Sequence, residues 1–224
     1  MIDAGSTDGS RQYLSSLSLP NLKTIFESDE GPADGLNKGL RIMTGDIFMY
    51  LNSDDELVPG SLRVVSELHS IYPEDAIFGN GWIIDTDSNK VRPIISDKFT
   101  PFRFLMGIGT VLQQSTSFKR DLIDRGLRFN TNNRVCWDTE FHCDALKLGA
   151  LIKNVPDSIG LFRIQPESIT SSQDYLARLS QERNRLLSNY FPEVVIKARG
   201  LPSLFFRLIR RVKNTYLFLT NPPE

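Results

Sequence analysis

The chain has 224 residues, 40% hydrophobic and 24% charged, and its formal net charge is −1. That supplies one core with a short appendage and excludes disordered, collagen-like and repeat architectures. No apolar run approaches the roughly 20 residues that a membrane-spanning helix needs, and no signal peptide opens the sequence.

The opening MIDAGSTDGS is a Gly/Ser/Asp turn preceded only by the stub of a strand, Met1-Ile2. A helix is predicted over 8–18, capped by Asp8 or Ser6 and ended by Pro20-Asn21. LKTIFES, 22–28, reads as a short strand. Asp34 then serves as N-cap for a helix whose apolar stripe is Leu36, Leu40 and Met43 and whose stop is Gly45. IFMYLN, 47–52, is a continuous apolar run, as in a strand covered on both faces, and leads directly into Ser53-Asp54-Asp55-Glu56. A helix from Pro59 to about Ile71 and a strand in AIFGNGWIIDTD follow.

This alternation predicts a doubly wound α/β fold with a mostly parallel central sheet and flanking helices. After Asp85 the pattern loosens. STSFKRDLIDRG reads as a strand entering a short helix, TEFHCDALKLG as a helix closed by Gly149, ALIKNV and SIGLFRI as two strands, and 173–190 as a helix. No linker interrupts the chain before about Glu193, so it divides into a main domain, 1–192, and a tail, 193–224.

The charge is unevenly spread. From 194 onward six Lys and Arg face one acid, Glu224, so the stretch 194–224 carries +5 and the rest −6. Between 201 and 219, Leu204, Phe205, Leu208, Ile209, Val212 and Tyr216 form a helical stripe, with Arg207, Arg210 and Arg211 largely away from it. Two readings fit: an amphipathic helix on an anionic membrane, or a helix packed on the domain. The acidic body argues against a nucleic-acid partner. Cys136 and Cys143, two helical turns and about 10 Å apart, read as reduced thiols. A cytoplasmic protein, peripheral on the inner face of the membrane, is the expectation.

Ligands of open α/β sheets bind beyond the carboxyl ends of strands, where Asp3 with Asp8 and Asp54 with Asp55 fall. Paired carboxylates there suit a hard divalent cation on a diphosphate; a solvated turn capping the next helix explains them equally well. Asp138 sits where a helix N-cap is expected, and Glu140 in that helix's first turn suits the helix dipole.

Taken jointly, IDAGSTDGS, SDEGPADGLNKGLRIMTGDIFMYLNSDDEL, QQSTSFKRDL, WDTEFHCDALKLG and FRIQPESIT resemble glycosyltransferase family 2 in order, spacing and residue type. The resemblance covers about residues 2–172 and implies the GT-A fold, with the family's first strand and helix missing ahead of Ile2. It further implies an inverting, metal-dependent, hexosyltransferase-type enzyme of surface polysaccharide or glycolipid synthesis. Its donor would be a nucleotide-sugar, UDP-linked by default, and its acceptor a glycan or lipid-linked hydroxyl. Carried over, Asp3 faces the base or ribose, Asp34 lies against the donor, Asp54 approaches the sugar-nucleotide and Asp55 ligates Mn²⁺ or Mg²⁺. Asp138 is then the general base and Glu140 an accessory catalytic group. The sequence departs from the family at Ala4, where a second Asp is common, and at Gln113 and Gln165, where His is common. A catalytically impaired membrane scaffold and a nucleotidyltransferase are the alternatives.

Overall fold

The computed structural model describes residues 1–105, 107, 109–165 and 175–192. The predicted tail and its amphipathic helix at 201–219 lie outside the described residues. In chain order the elements are β1 (Ile2–Asp3), α1 (Ser10–Ser16), β2 (Ile25–Phe26), α2 (Pro32–Ile42), β3 (Ile47–Phe48), β4 (Glu56–Leu57), α3 (Ser61–Ile71), β5 (Ala76–Ile84) and β6 (Lys90–Ile94). Next come α4 (Pro101–Leu105), a 3₁₀ turn at Gln113–Ser115, β7 (Thr116–Lys119), α5 (Arg120–Asp124), α6 (Trp137–Lys147), β8 (Ile152–Arg163) and α7 (Tyr175–Tyr190).

The α/β class holds, but the described pairings are mixed rather than mostly parallel. β1–β2 and β5–β8 run parallel, whereas β3–β7, β5–β7, β5–β6 and β4–β8 run antiparallel. The reason is connectivity. A parallel neighbour needs a long crossover, and β5 reaches β6 through a tight turn at 85–89, which forces a hairpin. The two strands predicted around 151–163 form one, β8. It keeps its pairing with β5 across an irregularity near Pro156, where Phe78 faces Asn154 but Asn80 already faces Ser158. Pro cannot donate to the ladder and is tolerated where pairing is broken.

Side chains alternate along β5 and divide the core between the two faces. Ala76 and Phe78 point toward α2, α5 and α6, joining Leu40, Phe48, Phe118, Leu122, Phe129 and Phe141. Ile77 points the other way, to Val65 and Leu68 of α3 and to Val155 and Ile159 of β8. α2 lies on β1 through Gly35 and Gly39, where an added Cβ would come within 3.8 Å of Ile2.

Helix starts differ from expectation in a consistent way. Gly9, not Asp8 or Ser6, occupies the N-cap of α1, and Gly31, not Asp34, that of α2, with Pro32 at the first helical position. Cys136, not Asp138, is at the N-cap of α6. Each acid instead sits outside or inside the cap position.

Candidate active site

The strand run that begins at β3 ends in an exposed loop, Leu51-Asn52-Ser53, before Asp54 and Asp55. The two carboxylates are treated differently. Asp55 is 7% exposed. Its Oδ2 accepts from Gln114 Nε2 at 2.7 Å and Asn52 Nδ2 at 3.1 Å, and its Oδ1 accepts the Arg163 backbone N–H at 3.0 Å. Burial pushes its carboxyl up, and those hydrogen bonds oppose the rise. Asp54 is half-buried, and its Oδ2 accepts from Gln165 Nε2 at 3.1 Å. Asp55 is thus committed to protein donors, and Asp54 is the more open of the pair.

Gln113 extends this network, donating from Nε2 to the Tyr50 carbonyl at 3.0 Å. The buried Tyr50 ring stacks on Phe48 at 5.6 Å, meets Phe129 edge-on at 5.2 Å, and lies 5.7 Å from Trp137. Its hydroxyl has no hydrogen-bond partner among the described residues. Burial raises this phenol well above the usual tyrosine value, and the Asp138 charge adds to the rise.

Asp138, one residue into α6 from Trp137, is half-buried. Its Oδ1 accepts the Thr139 N–H at 2.7 Å. Burial raises its carboxyl above the ordinary aspartate value, which suits proton uptake closer to neutrality. Glu140 has a different environment. It is 5% exposed and receives both guanidinium nitrogens Nη1 and Nη2 of Arg185, together with Asn130 Nδ2 at 3.0 Å and Asn133 Nδ2 at 2.8 Å. It anchors α6 to α7.

The other two predicted site residues stand on the β1–α2 side. Asp3 is buried, its Oδ1 closing the first turn on the Gly5 and Ser6 N–H groups at 2.7 and 2.8 Å and its Oδ2 without a hydrogen bond among the described residues. Those backbone bonds hold its carboxyl below the usual range. Asp34 accepts the Glu30 N–H at 3.2 Å and pairs with the buried Lys38 at 3.4 Å. Gln113 thus links Asn52, a donor to Asp55, with the Tyr50 main chain, and the Asp138 charge acts on the Tyr50 hydroxyl, while Asp3 and Asp34 shape the loops of the first half.

The Glycosyl transferase family 2 profile matches residues 1–140. The chain belongs to that family. An uncharacterized glycosyltransferase of Nostoc sp. is 29% identical to it over 107 residues, 43% of this chain and 33% of that protein. A PGL/p-HBAD biosynthesis glycosyltransferase of Mycobacterium bovis is 24% identical over 158 residues, 68% of this chain and 59% of that one. Among solved structures, S. aureus TarS 1-349 in complex with UDP-GlcNAc gives a TM-score of 0.61 at 16% identity, over 93% of this chain and 60% of that one. The matches span a third to three-fifths of the relatives' lengths. The architecture of this family 2 chain is the GT-A type.

Among the described residues of this family 2 chain, no group of three or more His, Cys, Asp and Glu gathers as a metal site. A magnesium-like site needs less, since one or two carboxylates with substrate phosphates and water can hold the ion. Asp54 beside the Gln165 amide fits that minimum. Asp55, three of whose roughly four acceptor positions already hold protein donors, is the less open of the two. Sequence reasoning missed the network that decides this, Asn52, Gln114 and Arg163, whose only signals were amides and an arginine inside motif segments. His142, four residues along α6 from Asp138, lies in a cage of Phe78, Phe99 and Phe118 at 4.9–5.6 Å.

Proposed function

We propose that this chain transfers a sugar from a nucleotide-diphosphate sugar to an acceptor hydroxyl, with inversion at the anomeric carbon. One observation carries the reading. Asp138, a half-buried carboxylate with a raised proton affinity, lies within electrostatic reach of Tyr50, which stands four residues before Asp54 on the strand run. This neighbourhood supports reading Asp138 as the proton acceptor and Asp54 as the diphosphate-side carboxylate of one site. The UDP-GlcNAc bound by TarS makes a UDP-sugar the first donor to try.

In this reading the acceptor oxygen attacks the anomeric carbon as its proton passes to Asp138. The bond from that carbon to the diphosphate oxygen breaks, and nucleoside diphosphate leaves. Asp54, with Gln165 beside it, would hold Mn²⁺ or Mg²⁺, which when bound offsets charge growing on the departing diphosphate. Asp55 braces the loop rather than ligating. Asp3, one of whose buried oxygens has no hydrogen bond among the described residues, remains assigned to the nucleoside, and Asp34 to the loop against the donor. Glu140 acts by holding α6.

Titrating the full chain with UDP in Mn²⁺, in Mg²⁺ and in EDTA tests the reading. Metal-dependent binding is expected, lost in Asp54→Ala; equal affinity in EDTA would remove the metal role, and no binding under any condition would favour the non-catalytic scaffold. The acceptor class, a surface polysaccharide or glycolipid, and peripheral membrane association through the basic stripe at 201–219 are part of the same proposal. No described helix is long and apolar enough to cross a membrane. Co-sedimentation with anionic vesicles, comparing the full chain with one ending at Glu193, separates membrane docking from packing on the domain.

A further inference from the structure

Arg163 closes β8, and its side chain bonds outward in two directions. Toward the site, Nε donates to the Asp54 carbonyl at 2.8 Å, and Nη2 pairs with Glu56. Away from it, Nη1 donates to the Asp85 and Thr86 carbonyls at 2.7 and 3.0 Å, and Nη2 to Ser88 Oγ at 3.0 Å. The Ser88 hydroxyl in turn donates to Glu56 Oε1 at 2.6 Å. A single planar fork therefore spans the Asp54–Glu56 segment and the β5–β6 turn, two stretches joined by no other described side chain with so many bonds to both. Its side chain is largely covered, at 14% exposure.

We propose that Arg163 is a positioning residue whose guanidinium sets the Asp54–Asp55 pair in place by tying it to the β5–β6 turn, so that the diphosphate side of the site is preorganised. The functional part rests on the glycosyl-transfer reading; the mechanical part does not. Asp54 has only one described side-chain partner, Gln165, so the direction of its carboxylate depends on its main chain, and Arg163 holds that main chain by the carbonyl. The backbone N–H of Arg163, which serves Asp55, survives replacement by methionine or lysine, so these variants isolate the side chain. A planar fork with five donors does this, whereas a lysine ammonium reaches one or two acceptors without the fixed plane.

Amide hydrogen exchange on the ligand-free full chain reads the coupling directly. In Arg163→Met, peptides covering 51–57 and 84–90 should exchange together, about tenfold faster or more, while those of α6 keep their wild-type rates. Arg163→Lys should restore little of the protection. Should Arg163→Met fail to fold, the double variant Glu56→Gln/Ser88→Ala, which loosens the fork without altering Asp54, Asp55 or Arg163, should show the same paired acceleration at smaller amplitude. Unchanged exchange over 51–57 in the folded variants, or full rescue by lysine, overturns the proposal. UDP titration then gives the functional half: the metal concentration at half-saturation should rise about fivefold or more in Glu56→Gln/Ser88→Ala with an unchanged melting temperature. A wild-type chain that binds no UDP would sink the glycosyl-transfer reading while the exchange data still decided the clamp.

Discussion

The side chain of Gln114 donates to the Asp55 carboxylate at 2.7 Å, and its backbone rests against Gly160 of β8 so closely that a Cβ there would sit 2.6 Å from Gln114 C and O. The bracing of the acidic loop therefore depends on a missing side chain in a strand remote in sequence. Gly160→Ala must push the 3₁₀ turn away, at a cost of about 1–3 kcal/mol for overpacking. Chemical denaturation should show that loss, together with weaker UDP binding; a variant with wild-type stability would mean the turn relaxes freely.

Asp54 and Asp55 should separate cleanly by mutation. Asp55→Ala strands three donors, those of Gln114, Asn52 and the Arg163 main chain, and should destabilise the fold by about 1–3 kcal/mol. Asp54→Ala removes only one acceptor of the Gln165 amide and should leave the melting temperature nearly unchanged while abolishing metal-dependent nucleotide binding. The reverse pattern would return the metal to Asp55.

Asp138→Asn should lower transfer by about 10²–10⁴-fold with donor binding retained. Because burial raises this carboxyl, the folded state holds its proton more tightly than the unfolded chain does. Stability from this group is present below the unfolded value and lost as pH rises through the folded one, so at pH 7 the ionised form is a net cost. The asparagine variant should consequently melt at a higher temperature than wild type at pH 7. The wild-type kcat/KM profile should likewise fall on its acid side at a pH above the ordinary aspartate range.

Glu140 is expected to matter for stability rather than chemistry. Arg185→Met leaves its buried carboxylate with only Asn130 and Asn133, and should cost about 2–4 kcal/mol, below the full value for a buried pair because Arg185 is partly exposed. kcat per folded molecule should be little changed. A large drop in kcat without loss of stability would restore Glu140 to the catalytic set.

His142 is 1% exposed, has no partner for either ring nitrogen among the described residues, and burial lowers its pKa to about 3. A depressed folded value means stability is complete above the unfolded value near 6.5 and is lost as pH falls toward 3. Between pH 7 and 5 this should remove roughly 2 kcal/mol, at 1.36 kcal/mol per unit. Denaturation of wild type and His142→Met at both pH values checks it; parallel losses in the two proteins would place the acid sensitivity elsewhere.

Local pattern was enough to read much of this molecule. The stripe of α2, the buried runs of β3 and β5, the helix of α6 and the order of the acidic motifs all follow from periodicities and turn residues that act over a few positions. The family and its GT-A class rest on those motifs and were legible before any coordinates. What local pattern could not decide is the state of each carboxylate. Asp55 differs from Asp54 because Gln114 and Arg163 arrive from 59 and 108 residues away, and Glu140 differs from Asp138 because Arg185 reaches it from 45 residues downstream. Strand direction around β5 was hidden for the same reason, since its neighbours β7 and β8 are brought beside it only when the chain closes. A carboxylate's burial, partners and proton affinity belong to its tertiary environment, and neighbouring acids of one type take opposite roles once folding has assigned their donors.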